Sequence, residues 1–221
     1  MNLPVPAEID RIKYLNPEEL SRLTQLIRDE LTAVQKEFHE GLRYRKALVK
    51  RFRNYLLVLF LLETGARIGE AVLVERRHLK IHQKEPYIIL PTLKRRKTLY
   101  RQVPVFSDEL ISMLTNFVLY REAVEGRKIL GTDRVFGLSK RQAQDVVRRI
   151  LLQVVDDTSK AHAHTLRHTF GILWTMRRLS PFTLASWMGH ATLNTTMAYT
   201  QIAIRDNYEY ARRLYEEMPL P

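Results

Sequence analysis

The side chains best able to do chemistry lie together in the stretch AHTLRHTFGILWTMRRLSPFTLASWMGHATLNTTMAYTQIA, residues 163–203. His164, Arg167 and His168 fall within about one helical turn. A Gly-His pair follows at Gly189 and His190, and a lone tyrosine, Tyr199, stands in TTMAYTQI. Two cationic or protonatable clusters followed by a single phenol suggest phosphate chemistry. His164 and His168 also have the i, i+4 spacing of a zinc pair. No glutamate follows the first histidine, however, the chain has no cysteine, and Arg167 would set a positive charge beside the metal, so no metal and no cofactor are expected. Two hydrogen-bonded structural histidines and a packed tyrosine are the plain alternative for this stretch taken alone.

Two other places carry comparable signals. In TGARIGE, Arg67 and Glu70 are three apart on a helix face, so the carboxylate can hold the guanidinium in one orientation and leave its other donors for a ligand; an ordinary surface ion pair is the alternative. Between the strand-forming runs Tyr87–Leu90 and Leu99–Val103 lies the basic tract Lys94, Arg95, Arg96 and Lys97. That is a β-hairpin with a cationic tip, suited to entering a groove of a polyanion or else simply solvated.

The elements that must position these residues can be read in order. Residues 1–13 carry two prolines and form an extended lead-in. Asn16-Pro17-Glu18-Glu19 supplies an N-cap, a first-turn proline and dipole-opposing acids for a helix to about Phe38. A second helix, from about Leu42 to Thr64, starts basic, with Arg43 and Arg45 as phosphate-contact candidates, and ends in the apolar run YLLVLFLL; Gly65 breaks it. A short strand near residues 79–82 precedes the hairpin. Helices follow from Ser107 to about Glu122 and from Ser139 to about Val155.

The helix starting near His164 has Leu166, Phe170, Leu173 and Trp174 on one face and His164, Arg167, His168 and Gly171 on the other, so the polar cluster faces away from the core stripe. Gly171 on that face would let a backbone or ligand come close. Pro181 opens a helix that Gly189 ends, and a short helical turn from Thr192 ends at Tyr199. The fold expected is mainly α with a small three-stranded antiparallel β-sheet, one domain of the α+β class.

Composition points the same way. The chain of 221 residues has 36 Lys and Arg against 24 Asp and Glu, a formal charge of +12, which suits nucleic acid or an acidic membrane surface. The absence of cysteine removes disulfides and thiol nucleophiles and suits a reducing cytoplasm. The most apolar run is far below the roughly 18 residues of a membrane span, and no secretory signal precedes it. A soluble intracellular protein is expected.

Taken together, TGARIGE (Arg67), the hairpin lysine (Lys94), HTLRH (His164, Arg167), MGH (His190) and TTMAYTQ (Tyr199) resemble the catalytic domain of the tyrosine recombinases, the phage-integrase and Xer-like enzymes, in order and spacing, from Tyr14 onward. The resemblance implies a site-specific recombinase that cleaves and rejoins double-stranded DNA through a 3′-phosphotyrosyl intermediate and a Holliday junction, without metal or ATP. Arg67 and Arg167 would clamp the scissile phosphate, His190 would donate to it and Tyr199 would attack once cations lower its pKa or His164 takes its proton.

Lys94, or Lys97 given the length of the turn, would protonate the leaving oxygen. Glu70 and His168 are supporting residues, and Arg95, Arg96, Lys97, Arg43 and Arg45 are candidate DNA contacts. The implied layout is a lead-in (1–13), a catalytic domain (14–203) and a C-terminal helix or tail (204–221) able to dock on a neighbouring subunit of a homotetramer on DNA, the free protein being a monomer or weak oligomer. The helical DNA-binding domain of about a hundred residues that usually comes first is not expected here. A type IB topoisomerase-like relaxing enzyme and an inactive DNA-binding protein of the same fold are the alternatives.

Overall fold

The computed structural model describes residues 12–42, 46–93 and 98–206. The tract Lys94–Lys97, the residues Arg43 and Arg45, and the tail beyond residue 206 lie outside the described residues.

Helix α1 spans Pro17–Glu37 and begins with the expected capping box: the Asn16 side chain accepts from the Glu19 N–H, and Glu19 accepts from the Asn16 N–H. Glu19 is nonetheless fully buried, because its carboxylate also takes the Asp156 N–H and the Lys160 ammonium, at 3.1 and 2.6 Å. The start of α1 is thereby fastened to the segment that leads into the polar helix near His164.

Helix α2, Lys46–Thr64, is the centre of the fold. From Leu56 to Leu62 every residue is buried, which a helix manages only when neighbours cover all its faces. Those neighbours are α1, helix α4 (Asp108–Glu125), helix α5 (Lys140–Leu151) and helix α6 (Ala163–Met176). The basic first turn stays in solvent at Lys46 and Lys50, as its composition requires.

After Gly65 the chain makes the four-residue helix α3, Ile68–Ala71. The sheet follows, with β1 (Leu79–Lys80), β2 (Tyr87–Leu93) and β3 (Thr98–Pro104) antiparallel in that order. Its register sets Ile88 opposite Val103 and Leu90 opposite Arg101. Ser107 and Ser139 cap α4 and α5 as their sequences predict, and α5 stops at Leu151, a turn before the expected Val155.

Two expectations are corrected beyond Ala163. The polar face of α6 turns away from the main core but is not open: Arg167 and Gly171 are buried, because helices α7 (Pro181–Met188) and α8 (Asn194–Asp206) fold back over it. Tyr199 does not end a helical turn. It sits in the middle of α8, packed with Phe170, Ile172, Leu184, Met188 and Ile202 in a second, smaller core.

Gly65 has the least freedom to change. Its φ of +60° is the left-handed region, and an added Cβ would lie 2.4 Å from the Phe170 ring. Gly65→Ala is therefore expected to cost about 2–4 kcal/mol, combining backbone strain with overpacking, read as a lowered urea midpoint at unchanged m-value.

Candidate active site

Arg167 joins the two turns that carry Arg67 and His190. It projects from α6 with only 3% of its surface exposed, donating from Nη1 to the Gly65 carbonyl at 2.6 Å and from Nη2 to the Met188 carbonyl at 2.7 Å. Each carbonyl lies two residues before a predicted site residue, Arg67 in one turn and His190 in the other. Burial, then the nearby Arg67 charge, pulls Arg167 down to about 10, which leaves it protonated at neutral pH.

Arg67 is the N-cap of α3 and is partly exposed. Its Nη1 donates to Glu70 Oε1 at 2.9 Å, and its Nη2 reaches the Gly189 carbonyl at 3.4 Å. The ion pair expected between Arg67 and Glu70 is thus present, with the carboxylate 1% exposed rather than on the surface.

Glu70 also takes a second arginine absent from the expected site. Arg101 on β3 pairs with both carboxylate oxygens, at 2.8 and 3.1 Å, and donates to the Thr92 hydroxyl at 2.7 Å and the Trp187 carbonyl at 2.6 Å. Burial opposes the Glu70 charge, but the hydrogen bonds and charge of Arg101, with those of Arg67, hold its pKa below the usual carboxylate range. A signal for Arg101 was present: it alternates with the buried Val103 on one face of β3, and a guanidinium there needs a buried partner.

The two imidazoles nearest Tyr199 are tied to hydroxyls on α8. His168 Nδ1 lies 2.9 Å from the Tyr199 hydroxyl, and His190 Nδ1 lies 2.7 Å from Thr196 Oγ1. The sequence pointed to His164 as the partner of the tyrosine; the structure brings His168 to it instead. His164 is exposed, on the wall of a cleft of about 520 Å³ shared with Arg67, Lys140, Arg148 and His162.

Gly171 supplies the close approach it was expected to allow. A Cβ there would lie 2.7 Å from the Tyr199 ring, so the absence of a side chain is what seats the phenol against α6. Tyr199 is 2% exposed, and burial pushes its pKa up to about 12 although Arg167 and Arg67 pull the other way. Burial, then Arg167, Arg67 and Arg101, brings His190 down to about 3. His168 is brought to about 4 by burial and then by His164 and Arg167. Both rings are neutral at physiological pH.

The structure therefore gathers Arg67, Glu70, Arg167, His168, His190 and Tyr199 around one point and adds Arg101 and Thr196. Lys94, Lys97, Arg95, Arg96, Arg43 and Arg45 lie outside the described residues. Among the described residues no group of three or more His, Cys, Asp or Glu could hold a metal ion, and no helix is long and apolar enough to cross a membrane. Guanidiniums, a neutral imidazole donor and a phenol at one place can stabilise charge on a phosphodiester and attack its phosphorus.

Known proteins share this arrangement of sequence and fold. Residues 14–205 match the phage integrase family. The chain is 24% identical over 197 residues to tyrosine recombinase XerA of Saccharolobus solfataricus, covering 88% of this chain and 60% of that protein. It is 28% identical over 169 residues to tyrosine recombinase XerH of Helicobacter pylori, covering 76% and 46%. The crystal structure of XerH site-specific recombinase bound to palindromic difH substrate, a post-cleavage complex, matches with a TM-score of 0.67 and 25% identity over 90% of this chain and 52% of that one. The chain spans about half the length of these relatives.

Neutral buried histidines make stability depend on pH. Unfolding raises His168 from about 4 toward its ordinary value near 6.5, so below that value the unfolded chain binds a proton that the folded chain does not. Stability is expected to fall as the pH drops from about 6.5 to about 4, with a shallower decline in His168→Gln, measured by urea unfolding at stepped pH. Equal slopes in the two proteins would show that folding leaves the His168 pKa unchanged.

Proposed function

The chain belongs to the phage integrase family, and on that premise we infer that it is a site-specific DNA recombinase acting through a covalent phosphotyrosyl intermediate. The observation that carries this reading is the convergence of Arg67, Arg167, His190 and Tyr199 from three separate stretches of chain, locked by the two carbonyl bonds of Arg167. An inactive DNA-binding protein would not need to retain all four.

The chemistry follows from these groups. Arg67 and Arg167 hold the non-bridging oxygens of the scissile phosphate, and His190 adds a neutral hydrogen bond. The Tyr199 oxygen attacks phosphorus, the P–O5′ bond breaks, and the 3′-phosphate remains on the tyrosine. The phenolic proton passes to an imidazole of α6: His164 is the one expected from sequence, and His168 is the one in contact here. The leaving O5′ takes its proton from the hairpin lysine, Lys94 or Lys97. Because the tyrosyl phosphodiester keeps the energy of the broken bond, a 5′-hydroxyl of a partner strand can attack it and free the tyrosine, which exchanges strands without ATP.

The cleft beside Arg67, lined by Lys140, Arg148, His162 and His164, supports passage of the duplex backbone there. Binding by the one domain is expected to be weak and to fall steeply with salt. The tail after residue 203 serves in this reading to join neighbouring subunits into a tetramer on DNA, the protein acting at the chromosome.

The reading is tested with a nicked suicide duplex carrying candidate sites. Wild type is expected to form an SDS-resistant protein–DNA adduct, and Tyr199→Phe none. An adduct that persists in the phenylalanine variant would remove Tyr199 from the nucleophile's role, and relaxation of supercoiled DNA without any site preference would favour a topoisomerase.

A further inference from the structure

A neutral imidazole donates from one ring nitrogen only, so His190 can serve the phosphate only if its proton is on the right side of the ring. Nδ1 of His190 faces Thr196 Oγ1 at 2.7 Å, leaving Nε2 as the nitrogen available to a ligand. Which nitrogen holds the proton is decided by what the threonine does.

Thr196 is fully buried in the first turn of α8, three residues before Tyr199. Five threonines of the other helices, Thr24, Thr64, Thr115, Thr169 and Thr175, donate their hydroxyl protons to the carbonyl four residues back, whereas Thr165 lies 3.4 Å from the His162 ring nitrogens. Among the described residues Thr196 makes no such carbonyl bond, and its hydroxyl has His190 as its hydrogen-bond partner. If it accepted from an Nδ1–H, its own proton would be buried without an acceptor, an arrangement folded proteins avoid. It therefore donates, Nδ1 accepts, and the ring proton sits on Nε2.

The structure assigns Thr196 as a positioning residue: its hydroxyl fixes His190 in the Nε2–H tautomer, the form that donates to a non-bridging oxygen of the scissile phosphate. This rests on the recombinase reading for its catalytic half. A consequence is that orientation of His190 and placement of Tyr199 are coupled, because both hydroxyls belong to one helix and move together. The neutrality of His190, held low by burial and by Arg167, is consistent with a ring that has a single proton to place.

The test compares Thr196→Val, which keeps the shape and loses the hydroxyl, with Thr196→Ser, which keeps the hydroxyl. In long-range 1H–15N spectra of the labelled full chain, with the His190 ring assigned by its loss in His190→Gln, wild type is expected to show unprotonated Nδ1 and protonated Nε2. Thr196→Val is expected to shift those resonances toward a mixture of tautomers, and Thr196→Ser to retain the wild-type pattern. An Nδ1–H tautomer in wild type, or an unchanged pattern in Thr196→Val, overturns the assignment.

In the adduct assay at saturating DNA, Thr196→Val is expected to cleave about 10- to 100-fold more slowly with unchanged DNA affinity, and Thr196→Ser to recover the rate. Equal losses in both variants would mark the threonine as merely structural. Absence of an adduct from wild type overturns the recombinase reading and the catalytic half with it, whereas the tautomer seen in the spectra stands or falls on its own.

Discussion

The arrangement depends first on where one buried guanidinium puts its hydrogen bonds. Arg167 could not lie 3% exposed without partners, since an unpaired charge there would be prohibitive. Its partners are two backbone carbonyls, Gly65 and Met188, which belong to turns 123 residues apart in the chain. Planarity matters here, because the fork of an arginine fixes the relative direction of both bonds in a way a lysine cannot. Once the two turns are fixed, Arg67 and His190 are fixed with them, each two residues further on.

Such a concentration of positive charge needs a counterweight, and Glu70 provides it. Arg67 and Arg101 share its carboxylate, so the guanidinium facing the cleft and the guanidinium of the β3 strand are held at one place by a single buried anion. Arg101 also reaches Thr92 on β2 and the Trp187 carbonyl near the end of α7. The base of the hairpin, the α3 turn and the turn before His190 therefore form one rigid unit. Whatever residue the hairpin tip presents, its foundation is registered against Arg67 to within a hydrogen bond.

The parts legible in sequence were those written locally. The caps at Asn16, Ser107 and Ser139, the proline opening α7 and the glycines closing α2 and α7 are decided by residues within a few positions of each other, and the structure has them where the sequence put them. The motif residues stand out by their types and order, and the structure brings Arg67, Arg167, His190 and Tyr199 to one place. What could not be read were pairings across long separations. Arg101 meets Glu70 and His168 meets Tyr199 at 31 residues' distance each, and nothing local chooses His168 over His164. Helix α8 runs on past Tyr199 for a related reason: its second half is held by burial of Ile202 and Ala203, a tertiary effect that propensity does not report.

Tyr199 shows how these constraints combine. Its ring fits only because Gly171 has no side chain, and the burial that follows raises its pKa to about 12, against the pull of two arginines. The same packing that locates the phenol therefore keeps it protonated. Burial is the larger influence here, so on the recombinase reading activation comes from a change in solvation or in hydrogen bonding rather than from the arginines already present. A phosphate entering between Arg67 and His190 would neutralise those cations and weaken their pull on the phenol, which makes the removal of its proton by an imidazole more necessary. On the recombinase reading, charge alone does not ready this tyrosine, and its hydrogen-bond partner His168 takes part.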